Sequence, residues 1–187
     1  MQEKSNFFSS LIEKGQFRVD EKGHAVLFGE FLFMVPPKVI LRLQDELEDR
    51  LGREEMEELM VELGLYQVEQ ASDRYREKFS IDNISHNKLL EFIKDILKVL
   101  GWGEIDLTSF ERDKGVFTVK VKHPTLPSII RNDIGEKREE PVCHYLRGIL
   151  KGAFGAILSV ENLQIEESTC AATGDSDICV FEAKSTD

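Results

Sequence analysis

Three cysteines, Cys143, Cys170 and Cys179, all fall in the last third of the chain, and Glu167 stands three residues ahead of the second. A thiolate binds soft and borderline metal ions strongly, and a carboxylate completes such sites. Cys170 and Cys179 flank a short turn, so with Glu167 they supply three corners of a tetrahedral zinc site, and Cys143 is the candidate for the fourth. The alternative is that free cysteines act as small buried hydrophobes, since the pattern is not the paired CxxC of a zinc ribbon. On its strand Glu167 is open to a surface role or a ligand role. His144 is a fallback ligand, but helical neighbours point about 100° apart, so it and Cys143 do not readily face one ion. Asp175 and Asp177 read as turn formers.

The elements that would carry this set are a helix and a hairpin. The helix is expected over 141–159, with Val142, Leu146, Ile149, Ala153 and Ile157 on one side. Gly148 and Gly152 lie one turn apart on it, where a second backbone or a ligand can come close. The hairpin is expected as strands 163–171 and 177–184, turning at Gly174-Asp175.

Upstream, residues 7–13 read as a short helix and Phe17 to Val35 as strands, with a turn at Glu21-Lys22-Gly23 and a bend at Gly29-Glu30. Pro36-Pro37 starts a helix along Ile40, Leu43, Leu47 and Leu51 that stops at Gly52. Met56, Leu59, Met60 and Leu63 mark a second helix that Gly64 is expected to break, and a third runs to about Phe79. Ser85 caps the next, which carries Leu89, Ile93, Ile96 and Leu100 and ends at Gly101. Two strands follow; in the second, Phe117, Val119 and Val121 alternate with polar residues. Residues 124–141, with three prolines and a charge run, read as loop. The fold class is therefore α+β, an antiparallel sheet packed with helices, in a single domain spanning 1–187.

With 41% hydrophobic and 32% charged residues the composition is that of a globular protein rather than a disordered one. The net charge of −11 repels a phosphate backbone, and no compact basic cluster overrides it, so direct nucleic-acid binding is not expected. The acidic stretch from Asp45 to Glu58 reads as a solvated helix face, because no calcium loop with its turn glycine is present. An odd number of cysteines argues against a disulfide framework and for a reducing cytoplasm. The first residues lack the pattern of a signal peptide, and no apolar run reaches the ~20 residues of a membrane helix.

Pro141-Val142-Cys143-His144-Tyr145, Gly148 and Gly152, then Glu167-x-x-Cys170 and Gly174 to Cys179, resemble the 4-vinyl reductase domain. That domain also forms the effector-sensing module of bacterial activators of the phenol and xylene regulator type. The likeness covers residues 141–184; upstream, Gly23 to Gly52 looks like the N-terminal part of stand-alone archaeal and bacterial proteins of the family. The resemblance implies the fold of the transport-particle (TRAPP) subunits, related to haem nitric-oxide sensors and usually a homodimer. It divides the chain into an N-terminal α/β part of the sensor fold, 1–140, and a zinc-binding segment, 141–184, with the C-terminal helix and hairpin stapled by zinc. It also implies zinc held by Cys143, Glu167, Cys170 and Cys179. The turn from Cys170 to Cys179 is slightly longer than in those activators. Because the ATPase and DNA-binding parts of those activators are not in this sequence, output is expected to pass through a protein partner.

With every position filled, such an ion is structural rather than catalytic. Three thiolates and a carboxylate outweigh a dication, and Lys184 or Arg147 is the candidate compensating cation. Three functions compete. The first is a sensor or carrier for an apolar or aromatic small molecule, lined by Phe92, Ile96, Trp102, Phe117, Tyr145, Ile149 and Phe154. Each of these also reads as plain core. The second is an accessory protein or reductase in tetrapyrrole metabolism, with His123 as a candidate ligand; no GxGxxG fingerprint, phosphate loop or nucleophile set accompanies it, so no enzyme activity is expected. The third is a ligand-free scaffold like the TRAPP subunits, which an exposed apolar face on the 36–63 helices would favour.

Overall fold

Pro36-Pro37 divides the chain, because two rigid rings in succession end one run of backbone pairing and open a helix. The computed structural model describes residues 7–79, 85–111, 115–135, 137–158, 160 and 162–186. It gathers them into two compact units, up to Pro36 and from Pro37 on. The first unit holds helix α1 (Phe7–Glu13) and an antiparallel meander of β1 (Phe17–Val19), β2 (Ala25–Leu27) and β3 (Glu30–Leu32), in the order β1-β2-β3. Asp20 makes the first turn by accepting from the backbone N–H groups of Lys22 and His24. Gly29, at φ 91°, makes the second, together with Phe28 at φ 53°.

In the second unit α2 (Pro37–Leu51) stops at Gly52, whose φ of 86° suits the left-handed residue that follows a helix. The next helix, α3 (Arg53–Phe79), runs straight through Gly64, where the sequence pattern suggests a break. The reason lies across the interface. A Cβ on Gly64 would stand 2.1 Å from the carbonyl oxygen of Tyr145, and one on Gly148 would stand 2.0 Å from that of Val61. These glycines let α3 and α6 cross backbone against backbone.

Helix α4 (His86–Val99) packs on β4 (Glu104–Glu111). Ser85 stands at its N-cap position, but its hydroxyl makes no capping bond. The second sheet adds β5 (Val116–Lys122), β6 (Leu163–Thr169) and β7 (Ile178–Ser185), antiparallel throughout in the order β4-β5-β7-β6. Its inward rows are Phe117, Val119 and Val121 on β5, Cys179, Phe181 and Ala183 on β7, and Leu163 and Ile165 on β6. That is the alternation expected of a sheet with one covered face.

Residues 124–141 are not all loop. Thr125–Ile129 forms α5, which continues as a π-helical turn, Ile130–Ile134, and ends at Gly135 with φ 77°. Leu126, Pro127 and Ile130 are buried, so their apolar side chains, rather than helix propensity, hold this segment in place. Helix α6 (His144–Leu158) begins three residues later than its expected start at Pro141, and Cys143 takes the capping position: its carbonyl accepts from Arg147 N at 2.8 Å. Of the described residues, no helix is long and apolar enough to cross a membrane.

Candidate metal centre

Cys143 stands where the chain turns into α6, Cys179 on the inward row of β7, and Cys170 just past the end of β6. Glu167 continues the inward row of Leu163 and Ile165, so period two aims its carboxylate at the interior. The pairing register of β6 on β7 shifts between Glu167 and Thr169, and this irregularity carries the chain over to Cys170.

The ligand atoms of Cys143, Glu167, Cys170 and Cys179 all lie within 4.8 Å of one another. Cys143 Sγ and Cys179 Sγ are 3.7 Å apart, and the three cysteines are free. Two sulfurs at 2.3 Å from a tetrahedral zinc ion would sit ~3.8 Å apart, so the spacing fits the ion and excludes a disulfide. All three cysteines are at most 2% exposed, and Oε1 of Glu167 is buried without a hydrogen-bond partner. A buried oxygen of that kind needs a partner, and a cation at the centre of the set would be one.

The acid–base balance points the same way. Burial, reinforced by Cys170, pushes the Glu167 carboxyl up to about 8. Cys143 is pushed well above the ordinary thiol range by its hydrogen bonds to Cys170 and Cys179 and by burial. Cys170 is the first of the set to ionise, because Cys143 and Cys179 donate to it and the backbone N–H groups of Ala172 and Val142 are aimed at it. Without a cation, this buried set holds its other protons. A dication compensates the negative charge and lets them go. The residues therefore fit zinc, with all four positions taken.

His144 is not part of this group. It is 3% exposed, its Nδ1 is 3.9 Å from Glu57, and burial lowers its pKa. Lys184 lies on the outward row of β7, away from Cys179, and does not compensate the cluster. Arg147 is held between Glu57 at 3.7 Å and Glu166 at 3.5 Å, beside the cluster rather than on it.

Of the apolar candidates, Phe117, Ile149 and Phe154 lie in one core cluster, with Phe117 and Phe154 rings 4.8 Å apart. Trp102 and Tyr145 pack against that cluster and stack on each other at 5.5 Å and 21°. Tyr145 Oη donates to Gln67 Oε1 at 2.8 Å. Ile96 is buried and Phe92 half-buried on α4. His123 is exposed at the turn after β5. The residues that the sequence reading missed are polar ones that fix the loops, Gln44, Asp45 and Arg138; a glutamine buried on α2 beside Leu41 was the available signal.

Residues 135–185 match the model of the 4-vinyl reductase domain. That match covers about a quarter of the chain and takes in all four residues of the cluster. None of the curated proteins matches the chain. Among solved structures, the chain is similar to the phenol-responsive sensory domain of the transcription activator PoxR, solved with phenol. That likeness has a TM-score of 0.75 at 17% identity and covers 98% of this chain and 92% of that one. A vinyl-4-reductase family protein from Methanocaldococcus jannaschii has a TM-score of 0.51 at 18% identity, covering 100% of this chain and 99% of its own. Subunit 3 of the trafficking protein particle complex from Naegleria fowleri, covalently bound to palmitic acid, has a TM-score of 0.51 at 14% identity, covering 81% and 95%. The fold is thus the α+β architecture of vinyl-4-reductase and TRAPP proteins, with helices packed on an antiparallel sheet.

Proposed function

We propose that this chain is a small-molecule-sensing domain for apolar or aromatic ligands, with a structural zinc ion held by Cys143, Glu167, Cys170 and Cys179. The observation that carries this reading is the place of Cys143. The residue that would bind the ion also caps α6, and two residues on, Tyr145 stacks against Trp102 at the edge of the core. A zinc-fixed helix start would hold this aromatic edge in one geometry and bind an aromatic ring at low ordering cost. The domain match and the likeness to a phenol-responsive domain support the ligand class. In this reading the protein is cytoplasmic and passes its signal to a protein partner.

The test is direct because Trp102 is the sole tryptophan. Native mass spectrometry of protein purified without chelator should find one zinc per chain. Titration with phenol, and in parallel with palmitic acid, should change Trp102 fluorescence saturably for at least one of them. Metal-free protein whose fluorescence neither compound moves would overturn the reading.

A scaffold role, as a homodimer, is favoured by one observation. Val39, Leu43 and Leu51 are 51%, 42% and 45% exposed on α2, spaced to form a ridge. Lys38 and Arg42 occupy the first half of that helix and Asp45, Glu46, Glu48 and Asp49 the second. Two copies crossing antiparallel would oppose unlike charges across this ridge, as a twofold interface requires. Sedimentation of Leu43→Glu against the unaltered chain tests it: a dimer should become a monomer.

A further inference from the structure

The chain between π-turn and metal ligand, residues 131–135 and 137–143, is tied on two sides. On one side it holds the turn of the β6–β7 hairpin. Arg131 Nη1 donates to the Ser176 carbonyl at 2.6 Å, Lys137 Nζ pairs with Asp175 at 2.5 Å, and Arg138 N–H donates to the Ala172 carbonyl at 3.0 Å. On the other side it is bound to α2 and the start of α3. Lys38 pairs with Asp133 at 3.0 Å, and Arg53 Nη2 donates to the Pro141 carbonyl at 3.1 Å. Gln44 Nε2 donates to the Val142 carbonyl at 3.2 Å. Arg138 meets Asp45 with both guanidinium nitrogens, at 3.1 and 3.2 Å.

Two of these bonds act on the peptides that surround Cys170. The N–H groups of Val142 and Ala172 both point at its sulfur. Gln44 fixes the carbonyl of Val142, and Arg138 fixes the carbonyl of Ala172. Gln44 is 4% exposed, and its Oε1 has no hydrogen-bond partner. An apolar residue there would avoid that unpaired oxygen, so the one bond the side chain does make is what justifies a glutamine at this place. A fork-to-fork arginine–carboxylate pair fixes direction as well as distance.

We propose that Gln44 and Arg138, the latter through Asp45, are positioning residues that latch α2 to the metal centre, so that α2 orders the loops carrying Cys143 and Cys170 and a bound ion orders α2 in return. The coupling runs equally in both directions, as linkage requires. It deepens the proposed zinc reading and rests on it. It also gives the metal centre a route to the outer ridge of α2.

The test compares zinc affinity, by competition with a chelating dye, for the unaltered chain, Gln44→Leu, Arg138→Ala and the exchange Asp45→Arg with Arg138→Asp. Circular dichroism confirms that each is folded. Gln44→Leu and Arg138→Ala should each weaken zinc about tenfold or more, the scale set by residues that orient ligands from behind. The exchanged pair should recover most of the Arg138→Ala loss, which general destabilisation would not do. Arg138→Lys, which keeps the charge and loses the fork, should fall between and replaces Arg138→Ala if that variant does not fold. Hydrogen exchange should show residues 37–51 loosening on zinc removal, with α4, which makes none of these bonds, unchanged. Zinc bound normally by the unaltered chain and equally well by the variants overturns the latch alone. An unaltered chain that binds no zinc overturns both the latch and the reading beneath it.

Discussion

Helix α6 is held at two places by opposite means. Along its length it is fixed by what is missing: Gly148 and Gly152 on α6 and Gly64 on α3 leave no side chain between the two backbones. At its start it is fixed by chemistry, through a buried set of thiols and a carboxyl that a dication would neutralise. The first contact is insensitive to solvent, pH and metal supply, whereas the second depends on all three. A single helix can thus have a permanent anchor and a conditional one, and only the conditional end can report on the cell.

The largest effect should come from attacking the permanent anchor. Gly148→Ala would set a Cβ 2.0 Å from the Val61 carbonyl, and neither backbone can yield locally. We expect a loss of about 3 kcal/mol or more in urea unfolding, undiminished by added zinc. Gly152→Ala meets the Val68 side chain at 2.9 Å, which can turn aside, so its loss should be clearly smaller.

Breaking the conditional anchor comes next. Cys170→Ser or Cys179→Ser should abolish stoichiometric zinc and lower the melting temperature markedly, while the unaltered chain treated with chelator should melt close to them. His144→Ala should keep its zinc, since that ring turns to Glu57. Metal analysis beside the melting curves decides both.

Zinc affinity should also depend on pH, and the sign follows from the protons. In the metal-free protein Glu167 holds its proton up to about pH 8 and Cys143 holds its proton higher still. Zinc must expel them, so acid favours the metal-free state and affinity should climb as pH rises from about 6 through 8. Glu167→Gln should bind more weakly and lose one proton's worth of that slope in chelator competition. The smallest effect belongs to Tyr145→Phe, which removes the bond to Gln67 and should lower stability by about 1 kcal/mol in the same unfolding assay.

The ligand set was legible because each of its members is a rare residue type placed beside an element whose period can be read. Val119 and Val121 fixed the face of β5, Leu163 and Ile165 that of β6, and Glu167 continues the second of these. The crossing of α3 and α6 was only half legible. Gly148 and Gly152 announced a close approach, but Gly64 looked like a helix stop, because one glycine cannot say whether its freedom or its smallness is in use. The latch was not legible at all. Asp45 and Arg138 lie in charge-rich stretches where most such residues face water, and only the fold brings these two together. Likewise 125–134 read as loop because prolines mask helical periodicity, while the burial of Ile130 that holds it is a tertiary fact.

The sheet order β4-β5-β7-β6 also bears on how the protein is made. Of its four strands, β7 leaves the ribosome last, yet it lies between β5 and β6 and brings Cys179 with it. Until it arrives, β5 has one open edge and β6 has no partner in the sheet. The nascent chain must therefore carry an unfinished sheet through nearly all of its synthesis, exposed to the aggregation that unpaired edges invite. Closure of the sheet and completion of the four-ligand set then fall to the same final strand, so the ion can be captured in full only by a chain whose sheet is ready to close.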